Sequence, residues 1–167
     1  PALPKYKLVK TYGYDGFGNR ASVTIRGADI ATRTSISQYD TTGRFEVSST
    51  NAHGHTAVTD YDLSLGVPIK VTDANGLVLS KQYDGLGRIT NTVLPNGTMV
   101  SVSREWCYID CTIEAITPND SNQKAIYSIT TRYLGSDGLT QFKPAVTKYF
   151  DKLQREIRVV TKGFNGQ

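Results

Sequence analysis

The chain has little of what would serve a membrane, a metal or a familiar active site. Its 167 residues include two histidines, two cysteines, one tryptophan and one methionine. No apolar run approaches the ~18–20 residues of a membrane-spanning helix, and the opening Pro1-Ala2-Leu3-Pro4-Lys5 is not a signal peptide. There is no Gly-rich phosphate loop, no serine nucleophile elbow and no dinucleotide fingerprint, so no enzyme and no cofactor are expected. No window carries an apolar stripe at helical spacing.

What is present suits a sheet. Hydrophobic residues make up 38% of the chain and tyrosine outnumbers phenylalanine ten to five, a balance that fits half-buried sheet surfaces better than a large dry core. Nineteen basic against fifteen acidic residues give a net charge of +4, which raises the question of a nucleic-acid partner. The basic residues are scattered. Only Lys5, Lys7 and Lys10 gather without acidic neighbours, and the group from Lys143 to Lys162 is interrupted by Asp151 and Glu156. A solvated sheet face explains this spread, and no nucleic-acid partner is expected.

One short motif recurs. Tyr83-Asp84-Gly85-Leu86-Gly87-Arg88 has weaker copies at Tyr14-Asp15-Gly16-Phe17-Gly18-Asn19-Arg20, Tyr39-Asp40-Thr41-Thr42-Gly43-Arg44, Tyr61-Asp62-Leu63-Ser64-Leu65-Gly66 and Tyr149-Phe150-Asp151-Lys152-Leu153-Gln154-Arg155. Tyr39, Tyr61 and Tyr83 lie 22 residues apart, and Tyr127 and Tyr149 continue the interval after a gap, whereas Tyr14 to Tyr39 is 25. A period of this size marks an array of one supersecondary unit. In Asp84-Gly85-Leu86-Gly87 the aspartate opens a four-residue turn, where its carboxylate can accept backbone N–H groups. The glycine closes it at a position of positive φ. That is a type I turn in a β-hairpin. The tyrosine before and the arginine after are placed to face each other across the strands, a contact worth ~0.2–1 kcal/mol. The motif therefore carries folding information before any chemistry.

Between motifs, Ala21, Val23 and Ile25 alternate with Ser22, Thr24 and Arg26, the period of a strand with one buried face. The pattern returns at Phe45 and Val47, and at Val67, Ile69 and Val71. Pro68 has no N–H for a ladder, so its strand is expected at an edge or to begin there. Gly43, Gly54, Gly66, Gly76, Gly87 and Gly97 fall at steps of 11, 12, 10, 11 and 10 residues, so each unit holds two strands and two turns. The expected fold is all-β, an antiparallel meander of hairpins filling residues 1–167 as one array. Motifs stand near 14–20, 39–44, 61–66, 83–88 and 149–155, with an irregular insertion at about 103–126. Thr117 to Lys124 is the best candidate there for an exposed loop. The array opens and closes in mid-pattern, as a piece of something longer would.

These copies of Tyr-Asp-x-x-Gly-Arg, together with the turn Leu94-Pro95-Asn96-Gly97-Thr98, resemble the YD-repeat or Rhs (rearrangement hotspot) family. Its members include bacterial Rhs toxins, the B and C components of insecticidal toxin complexes, wall-associated proteins and teneurins. The resemblance runs from Tyr14 to about Gly166. It implies a strip of a larger curved β-shell, secreted or on the bacterial cell surface, whose partners are other YD repeats of the parent chain and an enclosed toxin domain or a cell-surface glycan. The copy at Tyr61 has an extra residue before Gly66 and Val67 in place of arginine, and the copy at Asp151 has Gln154 in place of glycine, so bulged or looser turns are expected there. The core segment where some toxin relatives cut themselves has no counterpart, so self-cleavage is not carried over.

Four groups merit weighing as sites. Cys107 and Cys111 would stand ~13 Å apart on a straight strand, too far for a disulfide, unless a turn at Tyr108-Ile109-Asp110 brings them together. A local disulfide, two buried thiols and a metal pair all remain open, the last lacking further ligands. His53-Gly54-His55 flanks a turn glycine and reads as a turn. Asp60 and Asp62 share a face if extended, as a glycosidase pair would, but Asp62 belongs to the motif. Trp106 and Tyr108 are candidates for glycan contact; the alternative is that Trp106 fills the inner face of the sheet beside the cysteines. The residues of greatest weight are the structural set Tyr14, Asp15, Gly18, Arg20, Tyr39, Asp40, Gly43, Arg44, Tyr61, Asp62, Gly66, Tyr83, Asp84, Gly87, Arg88, Tyr149, Asp151 and Arg155. No metal site is expected.

Overall fold

A computed structural model describes residues 7–107 and 125–163. Among the described residues there are twelve strands and no helix. They are β1 (Leu8–Tyr14), β2 (Arg20–Gly27), β3 (Ile30–Tyr39), β4 (Glu46–Thr50), β5 (Thr56–Asp62) and β6 (Val67–Thr72), then β7 (Val78–Tyr83), β8 (Ile89–Val93), β9 (Met99–Trp106), β10 (Tyr127–Leu134), β11 (Gln141–Phe150) and β12 (Glu156–Lys162). The chain divides between Ser80 and Lys81 into two compact units. The division falls within β7, and strand order follows chain order from β1 to β6 in the first unit and from β8 to β12 in the second. The fold is the all-β antiparallel meander that the alternation and the turn glycines predict.

The period-2 sequence becomes two unlike faces. In the first unit, Tyr12 pairs with Val23 and Lys10 with Ile25, while Thr11 pairs with Thr24 and Thr24 in turn with Thr34. Further along, Thr59 pairs with Val71 and Val71 with Leu79. One face therefore collects Tyr12, Val23, Ile25, Val71 and Leu79 together with Ser35 and Thr59, and the other collects Thr24, Thr34, Thr50 and Thr72 together with Ile36, Val58 and Val78. Cross-strand threonine hydroxyls meet at Thr24 and Thr34, 3.1 Å apart, and at Thr50 and Thr56, 2.8 Å apart. The second unit repeats the division. Val102 pairs with Thr131 and Thr131 with Val146, and Arg104 pairs with Ile129, whereas Thr130 and Thr147 join hydroxyls at 3.0 Å on the opposite face.

Neither unit has a core of its own. Among the described residues only Ala125, Ser128 and Asp151 are buried, and no side chain is fully enclosed. Apolar residues stand exposed on strands, as at Tyr12, Ile69 and Val159, and at turns, as at Phe17, Leu86 and Leu153. Side chains of a sheet half-cover their neighbours, but real burial needs a second layer.

Pro68 does not mark an edge: β6 pairs with β5 on one side and β7 on the other. The proline is the second residue of β6, opposite Tyr61 and beside a register shift between Asp60 and Tyr61, so of the two expected placements the one at the start of the strand holds. β9 stays paired with β10 as far as Trp106 opposite Tyr127. Thr117 to Lys124 lies outside the described residues.

Candidate functional site

The motif turns share one construction. At Asp84 the Gly87 N–H donates to the Asp84 carbonyl at 2.9 Å and the Asp84 N–H donates to the Arg88 carbonyl at 2.9 Å. Gly87 lies at φ 74°, so this is a type I turn followed by a left-handed glycine bulge, a common three-residue hairpin loop. The aspartate side chain locks it from inside. Asp84 Oδ1 accepts the N–H groups of Leu86 and Arg88 at 2.9 and 3.0 Å, and Oδ2 accepts Arg88 Nε at 2.6 Å. Asp15 and Asp40 make the same kind of bonds. At the other end of the hairpins Asp73 does likewise, and Asn51 supplies the acceptor with an amide oxygen.

These bonds favour the ionised carboxylates. Asp40 is lowered to about 2, chiefly by the Thr42 hydroxyl and next by the Phe45 N–H. Asp137, in the turn between β10 and β11, is lowered to about 2, chiefly by the Thr140 hydroxyl. Asp62 is lowered first by the Ser64 hydroxyl, Asp84 first by the Arg88 N–H, and Asp151 first by the Arg155 side chain.

The divergent copies are not loose. The extra residue after Asp62 is taken up by a wider turn in which the Gly66 N–H donates to the Asp62 carbonyl at 2.8 Å. At Asp151 the narrow turn survives intact, with the Gln154 N–H donating to the Asp151 carbonyl at 3.0 Å and Gln154 itself at φ 60°. It is the one non-glycine described residue in that region. Neighbouring motifs also touch. Asn19 Nδ2 donates to the Gly43 carbonyl at 2.7 Å, and the Phe17 ring lies where a Cβ on Gly43 would have to be.

The motif arginines reach different partners. Tyr14 does stand opposite Arg20 in the register, but the Arg20 guanidinium lies over Tyr12, 5.8 Å from the ring centre. Arg88 and Arg155 go to their own aspartates. At these two turns the arginine, four residues beyond the aspartate, returns to the carboxylate that already holds its backbone, whereas Arg44 donates Nε to the Thr42 hydroxyl at 3.1 Å and lies over the Phe45 ring.

A groove of about 410 Å³ lies in the second unit. Trp106, Tyr127 and Ile129 give it an apolar wall, and Arg88, Arg104, Glu105 and Gln154 complete the lining. Trp106 is 64% exposed, so it does not fill a covered inner face. Its ring meets Tyr127 edge-on at 5.9 Å, and Tyr127 stacks on Phe150 at 4.8 Å, so three adjacent strands form one aromatic row. Tyr108, the second candidate glycan contact, lies outside the described residues.

The remaining candidates resolve as follows. Cys107 is disulfide-bonded, and Cys111, the other cysteine of the chain, lies outside the described residues. His53 and His55 flank Gly54 in a turn, their rings 6.1 Å apart. Among the described residues no three metal-ligating side chains converge. Asp60 pairs with Lys70 at 3.8 Å while Asp62 holds its turn, so the two carboxylates serve separate structural ends. The sequence reading missed Arg104, Tyr127 and Gln154 as groove residues. Gln154 carried the one available signal, a departure from glycine at a turn position; uniting the three requires the strand register.

Residues 61–99 match the family model described as RHS Repeat. The match takes in the motifs at Tyr61 and Tyr83 and the turn at Leu94-Pro95-Asn96-Gly97-Thr98. No curated protein matches the chain. The stretch is an RHS, or YD, repeat, and the recognition made from the motif copies holds there.

Proposed function

We propose that this RHS-repeat chain is a non-catalytic structural segment of a secreted or cell-surface protein, forming part of a β-shell that encloses or presents a toxin domain. The observation that carries the reading is the missing interior: strands and locked turns are well formed, yet only Ala125, Ser128 and Asp151 are buried among the described residues. A sheet with one apolar face and no layer over it gains its stability fully only when further polypeptide covers that face. The turns supply shape rather than chemistry, since their carboxylates are engaged by backbone N–H groups. The test is radical footprinting of Tyr12, Ile69 and Val159, in the isolated chain and within its parent polypeptide. Severalfold protection in the parent is expected. Equal labelling in both would remove the enclosing role.

A second reading, a carbohydrate-binding recognition module, is favoured by the exposed Trp106 at the mouth of the groove. An indole face open to solvent beside amide and guanidinium groups suits a sugar ring. Loss of glycan retention on Trp106→Ala, with thermal unfolding unchanged, is the expected result.

A further inference from the structure

The groove contains a cation that has no carboxylate partner among the described residues. Arg88 is committed to Asp84 at 2.6 Å and Arg155 to Asp151 at 2.7 Å. Arg104 projects from β9 on the face of Ile129, is half-buried, and has no carboxylate within ion-pair distance among the described residues. One guanidinium nitrogen is anchored, Nη1 donating to the Ile89 carbonyl at 2.9 Å. Among the described residues its other nitrogens make no further bond, and an anchored guanidinium with donors to spare is a ready partner for a carboxylate. Glu105 also contributes to the lining, but the register places it opposite Ser128, on the face away from Arg104.

Gln154 adds an independent sign. It takes a left-handed conformation that costs a side-chain-bearing residue about 1–2 kcal/mol, in a turn whose equivalents at Asp15, Asp40 and Asp84 use glycine. What the substitution places at the groove is a side-chain amide. Strain retained beside a groove is the pattern of a ligand contact.

We propose that this groove binds a carboxylate-bearing saccharide: Trp106 takes the apolar face of the sugar ring, Gln154 hydrogen-bonds a hydroxyl, and Arg104 pairs with the carboxylate. The proposal rests on the carbohydrate reading and narrows it to acidic sugars. Its test uses the full 167-residue chain with trigalacturonate and sialyllactose, each beside its own methyl ester, so that only the charge differs. The acids are expected to bind at least about tenfold more tightly than the esters, a preference that Arg104→Gln reduces to about onefold. Should that variant fail to fold, salt replaces it: from about 50 to about 500 mM NaCl, acid binding weakens severalfold and ester binding does not. Equal binding of acid and ester overturns the proposal and leaves the carbohydrate reading standing. No binding of any of the four sugars overturns both.

Discussion

The turn at Asp84 closes with glycine and the turn at Asp151 closes with glutamine, yet they share their hydrogen bonds almost atom for atom. In each, Oδ1 accepts the N–H groups two and four residues on, at 2.9 and 3.0 Å, and Oδ2 accepts the arginine Nε, at 2.6 and 2.8 Å. The left-handed residue sits at φ 74° in one and 60° in the other. The aspartate side chain is 24% exposed at Asp84 and 9% at Asp151. The carboxylate and the backbone bonds therefore define the turn, and glycine only lowers its cost. The more enclosed carboxylate stands in the turn that tolerates the strain.

Acid should break what the two turns have in common, and with it the largest share of stability. The ionised carboxylate is the form that accepts these bonds, so the folded state holds Asp40, Asp62, Asp84, Asp137 and Asp151 below the ordinary aspartate value of 3.8. The stability they contribute is fully present above 3.8. It is lost as pH falls from there toward about 2, where Asp40 and Asp137 titrate in the fold. The thermal midpoint is expected to fall steeply over that window. Asp84→Asn and Asp151→Asn should flatten the dependence, because an amide oxygen still accepts backbone N–H groups, as Asn51 does from His53 at 2.9 Å. A midpoint that does not move between 3.8 and about 2 would contradict the central role of the carboxylate.

Gly43 sharpens the contrast from the other side, since its turn needs glycine for two reasons. It lies at φ 68°, and any Cβ there would overlap the Phe17 ring. Gly43→Ala should cost about 2–4 kcal/mol, the left-handed penalty plus displacement of the ring. Gly76, at φ 77° with open space around it, is the control, and Gly76→Ala should cost only about 1–2 kcal/mol. Equal losses in urea unfolding would mean that the contact between neighbouring motifs contributes nothing.

The same distinction separates what could be read in the sequence from what could not. Asp84-Gly85-Leu86-Gly87 declared its turn because every bond in it is local, and Val23 and Ile25 declared their face because strand alternation is local too. The bond from Arg88 to Asp84 was not legible, since sequence order gives both neighbours without saying which one the guanidinium reaches. Gln154 looked like a loosened turn because the missing glycine was visible and the retained backbone bonds were not. The groove was out of reach: Trp106, Tyr127 and Gln154 belong to three separate stretches of chain, and only the pairing of β9 with β10 and β10 with β11 assembles them.

The smallest expected effect tests the comparison most directly, by exchanging the two residues. Gln154→Gly removes a left-handed strain of about 1–2 kcal/mol, but it also frees the unfolded chain, which returns about 0.4–1 kcal/mol. A net gain of about 0.5–1 kcal/mol should remain, visible as a small rise in the thermal midpoint. Gly87→Gln should lose a similar amount, with its turn otherwise unchanged because Asp84 and Arg88 still close it. If Gln154→Gly lowers stability instead, the glutamine side chain makes contacts in the fold that outweigh its strain, and its presence beside Trp106 then needs no ligand. If stability rises while retention of acidic sugar falls, the strain is maintained for binding.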